Sequence, residues 1–201
     1  MQLDEAIRRR RMCRHFLESP VPPEVIDRLL ERAVRAPSAG HTQGWGFLVL
    51  EGQAQTERFW STDADPAWLR RPDHPGVLLA PVIVVPFCNS QAYVDRYARS
   101  DKSASGLAGL EAGAWPAPYW LIDTAFATML LLLGAVEEGL GALFFRTHGD
   151  PSRLRAEFGV PAGWDPIGAV ALGWPAPSEA RVRPRARRPL NEVVHRGTWD
   201  L

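Results

Sequence analysis

From Tyr119 to Val136 the chain reads YWLIDTAFATMLLLLGAV, a run so apolar that it leaves few ways to fold. It approaches the ~20 apolar residues a membrane-spanning helix needs. Asp123, Thr124 and Thr128 interrupt it, and it leads straight into Glu137, Glu138 and Gly139. A helix apolar on nearly every side is equally the centre of a soluble core or of a dimer interface, and the interrupting polar residues favour that reading. The rest of the chain agrees, with 46% hydrophobic and 23% charged residues spread as in a globular protein. Its 201 residues suit one domain with a sizeable core. The opening MQLDEAIRRRR has charge but no apolar stretch behind it, unlike a secretory signal. Cys13 and Cys88 are too few for a disulfide framework and point to a reducing compartment. The expectation is a cytoplasmic protein with no membrane partner.

Around the central helix the pattern alternates between helices and strands. Leu3, Ala6 and Ile7 suggest a short helix ending in the arginine run, and Val25 to Val34 present one apolar face of a second. WGFLVLEG reads as a strand, and APVIVVPFCN as a strand buried on both faces. A polar helix is expected around Thr56 to Trp60. Residues 89–118 show no regular period and read as a lid or binding loop, or else as a disordered stretch. GLGALFF marks a glycine-terminated helix running into a strand. DPSRLRAEFGVP is a helix with Asp150 as N-cap, Pro151 as first residue and Gly159 as its end. PIGAVALGWP is a last strand before a basic arm, 181–201. With no repeat and no linker, residues 1–201 form one α/β sandwich-like domain.

Arginine supplies the chemistry worth following. RRRRMCRHF stands at residues 8–16, and a second cluster runs from Arg181 to Arg188. Net formal charge is zero, with 23 basic and 23 acidic residues. Nucleic-acid binders carry a basic excess on the domain scale, so these clusters are local features. A planar guanidinium grips phosphate with two bonds, and Arg10 and Arg14 share a face if the helix continues. The alternative is a solvated helix face plus a loose basic tail.

Three segments taken together carry a resemblance. RRMCRHF resembles the R-R-S-x-R-x-F opening of the nitroreductase-like flavoproteins, and APSAGHTQGWGFLVL their A-P-S-x-x-N-x-Q-P-W-x-F signature. VPAGWDPIGAVALGWP followed by RARRPLNEVVH is similar to their last strand and closing basic segment. That resemblance implies an α+β fold with a mixed central sheet flanked by helices, the long helix lying at a homodimer interface. It also implies one FMN in each of two sites between the subunits, with NAD(P)H as reductant. By position, Arg10, Arg11, Met12 and Arg14 would line the phosphate and ribityl side. Pro37, Ser38, Ala39, His41 and Gln43 would approach the flavin from the other subunit. Phe144, Phe145, Arg146 and Thr147 would lie near the ring, and Arg185 and Arg187 would complete the phosphate grip. The chain departs from the pattern at Met12 for Ser, His41 for Asn and Gly44 for Pro. His41 is open to protonation near neutral pH, or to a structural role bonding backbone.

The implied activity is ping-pong hydride transfer from NAD(P)H through FMN to a small organic acceptor. The cofactor carries that chemistry, so no catalytic side chain is assigned. Trp115, Tyr119 and Trp120 either border the acceptor pocket or anchor the core. The sequence also resembles, less closely, the flavin-destructase branch that consumes reduced FMN to make 5,6-dimethylbenzimidazole. A biosynthetic flavin dehydrogenase or oxidase is a further alternative, and an anion- or nucleic-acid-binding protein is the non-enzyme one. No metal spacing, GxGxxG or P-loop motif occurs in the sequence.

Overall fold

The computed structural model describes residues 1–177 and 186–199. Helices α1 (Leu3–Arg9) and α2 (Pro23–Ala33) precede strand β1 (Trp45–Glu51), helix α3 (Gln53–Asp63) and a short α4 (Pro66–Arg70). Strand β2 (Val82–Cys88), helix α5 (Ser90–Tyr97) and the long α6 (Tyr119–Glu137) follow. β3 (Gly141–Phe145), α7 (Pro151–Phe158), the two-residue β4 (Asp165–Pro166) and β5 (Ala169–Gly173) complete the elements that shape the site.

The sheet order is β1-β2-β5-β3, with β4 appended to β2. Every ladder among the described residues is antiparallel. The parallel component expected of a mixed sheet shrinks to one isolated bridge, Met12 to Ala142. Alternation along the central strands sorts the core into two layers. Val82 and Val84 of β2, with Val170 and Leu172 of β5, meet α2 and α6 on one face. Ile83, Val85 and Phe87, with Ala169 and Ala171, meet Phe59 and Trp60 of α3 and Leu154 of α7 on the other. All seven β2 residues are buried, as a strand covered by helices on both sides requires. Each large side chain sealed here contributes about 1.5–3 kcal/mol.

Local signals explain the helix limits. Asp150 accepts from the Ser152 backbone N–H at 2.8 Å, and Gly159 ends α7 at φ 65°. The polar helix expected at 56–60 runs from 53 to 63, because Thr56, Phe59, Trp60 and Asp63 form a buried stripe along it. Residues 89–118 are more ordered than an irregular loop. Asn89 caps α5 by accepting from the Ala92 N–H at 3.1 Å, and Tyr93 buries its ring completely. The remainder holds two short 3₁₀ turns, Ser100–Ser105 and Ala112–Ala114.

Helix α6 is long and apolar enough to cross a membrane. Its Asp123, Thr124, Ala127, Thr128, Leu131, Leu132 and Ala135 are instead buried within the protomer. Thr124 and Thr128 satisfy their hydroxyls on carbonyls four residues back, at 2.7 and 2.8 Å. The opposite side stays open, with Leu121 42%, Phe126 48% and Met129 40% exposed.

Candidate cofactor site

Helix α1 stops at Arg9, and Arg10 leaves it at φ −53°, ψ 120°. Arg10 and Arg14 therefore do not share a helix face. The chain goes extended because it docks on the sheet: the Cys13 N–H donates to the Ala142 carbonyl at 2.9 Å. That contact needs a glycine opposite, since a Cβ on Gly141 would stand 2.7 Å from Cys13 Sγ. The turn thereby lines a cleft of about 340 Å³, closed by Leu132 and Val136 of α6 and by Gly141 and Ala142.

Arg10 presents the cleft's main chemical demand. Its Nη1 is buried and has no hydrogen-bond partner among the described residues. An unpaired buried N–H on a charged group costs upwards of about 1–3 kcal/mol, so an acceptor from beyond the described residues is called for, and a phosphate oxygen suits a guanidinium well. Arg11 is exposed and turns Nη1 onto the carbonyls of Arg8 and Arg10, at 2.5 and 2.9 Å. Arg14 is half-buried, its Nη1 3.5 Å from the Met12 carbonyl. Met12 exposes 37% of its surface beside them.

The second signature forms a tight loop, 37–44, between α2 and β1. Ser38 Oγ accepts from the Gln43 N–H at 3.0 Å, and Thr42 Oγ1 donates to the Ala39 carbonyl at 2.6 Å. His41 and Gln43 are non-glycine residues in the left-handed region, at φ 55° and 53°. Such conformations persist where surroundings over-determine them, and they cluster at binding sites. The two side chains project into solvent with His41 Nε2 and Gln43 Nε2 3.0 Å apart, so His41 bonds a side chain rather than backbone. Pro37 is exposed, while Ser38 and Ala39 are half-buried.

Strand alternation separates Phe144 from Phe145. The Phe145 ring stacks on Trp60 with centroids 5.2 Å apart, inside the α3/α7 layer. Phe144 packs in the α2/α6 layer, leaving no room for a Cβ at Gly168. Arg146 is exposed, 3.3 Å from His148 Nδ1, and Thr147 is half-buried. Just beyond, the buried Asp63 receives the N–H groups of His148 (3.1 Å) and Gly149 (3.2 Å).

Trp115, Tyr119 and Trp120 join Tyr93 and Tyr97 in one edge-to-face cluster, centroids 5.0–6.4 Å apart. Trp115 is 8% exposed and donates Nε1–H to the Leu110 carbonyl at 3.3 Å, which makes it an anchor. Tyr119 and Trp120 are half-buried at its edge.

One protomer does not bring all these residues together. Asp123, which touches the 37–44 loop, and Val136, which lines the arginine cleft, are thirteen positions apart on α6. That is about 20 Å of helix. Arg185 lies outside the described residues. Arg187 is exposed on a C-terminal segment with local contacts of its own, such as Arg188 Nε to Glu192 at 3.2 Å. A larger cavity, about 650 Å³, contains none of these residues and is lined by Glu18, Glu51 and Glu57 without a basic group, unsuited to phosphate. Among the described residues no three His, Cys, Asp or Glu side chains gather as metal ligands.

Sequence reasoning missed Asp63, Tyr93 and Asp123. For Asp123 a signal existed: a lone carboxylate in an apolar helix is rarely buried without a dedicated partner.

An antiparallel sheet between two helical layers, with an arginine turn docked on its edge strand, defines an α+β scaffold. The nitroreductase family model matches residues 7–174, and the chain belongs to that family. It is 27% identical over 179 residues to a Methanothermobacter thermautotrophicus protein named as an NADH dehydrogenase/NAD(P)H nitroreductase, covering 88% of this chain and 78% of that one. It is 27% identical over 212 residues to the 5,6-dimethylbenzimidazole synthase of Rhodospirillum rubrum, covering 96% of this chain and 93% of that one. The fold superimposes with a TM-score of 0.75 on the structure of a nitroreductase from Exiguobacterium sibiricum in complex with FMN, at 17% identity over 97% of both chains.

Proposed function

We propose that the protein is a homodimeric, FMN-dependent NAD(P)H oxidoreductase acting on a small organic acceptor. The observation that carries this reading is the buried Nη1 of Arg10, unpartnered among the described residues, in a cleft of its own. Arg10, Arg11 and Arg14 would hold the phosphate, with Met12 against the ribityl chain. FMN, when bound, supplies the hydride-carrying centre. The other half of the site is the 37–44 loop of a second copy. Two α6 helices packed antiparallel about a two-fold axis set the Asp123 end of one against the Val136 end of the other. The exposed stripe Leu121, Phe126 and Met129 is the face that would meet there.

Within that arrangement Pro37, Ser38, Ala39, His41 and Gln43 confine one side of the ring. Phe144 and the backbone from 145 to 147 confine the other, and Arg187 borders the phosphate. Tyr119 and Trp120 stand at the margin where donor and acceptor enter in turn, which gives ping-pong kinetics. No side chain is assigned as acid or base; backbone N–H and solvent suffice for the proton. A soluble, cytoplasmic setting accords with the internal polar bonds of α6.

The test is optical. Purified protein is expected to bind FMN with a flavin band, bleach with NADH or NADPH, and recover with an acceptor such as a quinone or nitroarene. No flavin band after FMN is supplied would overturn the reading. The relation to the Rhodospirillum protein gives the flavin-destructase alternative a definite outcome, namely loss of the flavin itself with oxygen uptake. Met12 and Gly44 weigh against it. Zero net charge weighs against nucleic-acid binding, which would show affinity falling steeply with salt.

A further inference from the structure

Helix α6 carries a carboxylate at the one depth where it is least welcome. Asp123 is 4% exposed, and among the described residues no ion pair includes it. One oxygen, Oδ2, accepts two hydrogen bonds, from Tyr93 Oη at 2.7 Å and from the Ala39 backbone N–H at 2.8 Å. Tyr93 is wholly buried. Burial, and then its bond to Asp123, raise the Tyr93 phenol far above its ordinary pKa, so it stays a donor at any working pH.

The same loop is fastened elsewhere to α5 and its cap. The Gly40 carbonyl accepts from Arg96 Nε at 2.8 Å, and the Gly44 carbonyl from the Asn89 N–H at 2.9 Å. Between these ties sit His41 and Gln43 with their left-handed backbones. Asp123 is the only tie that comes from the central helix among the described residues. We infer that Asp123, with Tyr93 as its partner, is a positioning residue: it sets the 37–44 loop so that His41 and Gln43 present to the flavin bound across the dimer. The inference rests on the FMN reading above, and its test separates the two.

Asp123→Asn keeps the shape but loses the anionic oxygen that serves two donors, and Tyr93→Phe removes one donor. Each variant is compared with the wild type by FMN titration, by visible flavin spectrum and by amide hydrogen exchange of residues 38–44. Far-UV circular dichroism monitors folding. Asp123→Asn is expected to weaken FMN binding by about tenfold, the scale of one charge-assisted hydrogen bond, to shift the flavin spectrum, and to speed exchange across the loop. Tyr93→Phe is expected to move all three in the same direction by less, and it carries the test alone if Asp123→Asn does not fold. Wild-type affinity and spectrum in both variants would overturn the inference. Should the wild type bind no FMN, the cofactor reading falls, and loop exchange still decides the tether: unchanged exchange in both variants overturns it.

Discussion

The Tyr93 ring occupies the space that a side chain at position 44 would need. A Cβ on Gly44 would lie 2.4 Å from Tyr93 Cε2 and 3.1 Å from the Asn89 carbonyl oxygen. Gly44 stands where the resembled signature has Pro, so the departure and the buried tyrosine form one arrangement. Tyr93 cannot swing away, being enclosed by Trp115 and Trp120 and bonded to Asp123. Gly44→Ala is expected to lower stability by about 1–3 kcal/mol, the cost of overpacking a filled core. Thermal melting checks it, and an unshifted melting temperature would mean the ring has somewhere else to go.

Asp63 does for the segment after β3 what Asp123 does for the 37–44 loop. Its carboxylate takes the N–H groups of His148 and Gly149, and it is 4% exposed. Asp63→Ala would leave both partly buried backbone donors without this acceptor. A stability loss of about 2–4 kcal/mol is expected from two such orphans. Hydrogen exchange should quicken at 148 and 149 and not at 38–44, a locality that distinguishes this anchor from general loosening.

These two anchors mark the border of what the sequence could show. The layers were legible because they follow local rules: the β-branched run at Val82–Val85, the Asp150–Pro151 start and Gly159 end of α7, the apolar stripe of α2. Arg10 and the 37–43 loop were singled out through resemblance alone. Asp63 and Tyr93 were not, and Asp123 showed only that it needed some partner, because their meaning lies in partners 85, 30 and 84 positions distant, which no local period reveals. The α5 helix was hidden for another reason. Its sequence SQAYVDRY has a weak apolar pattern, and it forms because Asn89 caps it and Tyr93 finds a pocket. Helix α1 ends inside the arginine run as its pattern suggests, and it does not continue to Arg14 because docking of Cys13 on Ala142 outweighs continuation of the helix.

The two cysteines should differ in reactivity. Burial, with the nearby Asp165 charge adding to it, pushes the Cys88 thiol up to about 11. Burial also raises Cys13, though it is only half-buried and donates Sγ–H to the His15 carbonyl at 3.1 Å. Thiolate is the reactive form. A disulfide reagent at pH 8 is therefore expected to label Cys13 slowly and Cys88 only on unfolding. Rapid labelling of both in the native protein would contradict the packing of β2.

Acid should loosen the seam between α2 and the end of α6. Glu138 receives Arg28 Nη2 at 2.7 Å and Arg32 Nη1 at 2.8 Å. The hydrogen bond from Arg28, foremost, holds the Glu138 carboxyl below its ordinary 4.5. A depressed folded-state pKa contributes stability that is present above the unfolded value and lost as pH falls through the folded one. Glu138→Gln is expected to melt earlier than wild type at pH 7. The gap should close as pH drops below 4.5. A gap that stays constant with pH would show that the contact acts through packing and not charge.

The open face of α6 decides whether the site is shared between two chains. Phe126 and Met129 are 48% and 40% exposed in the protomer, three positions apart on one side of the helix. An apolar face of this kind needs a cover, and a second α6 running antiparallel would also bring the arginine cleft to a 37–44 loop. Phe126→Asp puts a charge on that face while disturbing no buried contact within the protomer. Sedimentation velocity is expected to show a monomer with wild-type circular dichroism and much weakened FMN binding, because each half-site then lacks its other half. A dimer that persists with full flavin would place the interface elsewhere. A monomer that still binds FMN with wild-type affinity would mean the arginine turn suffices alone, and the loop would lose its part in the site.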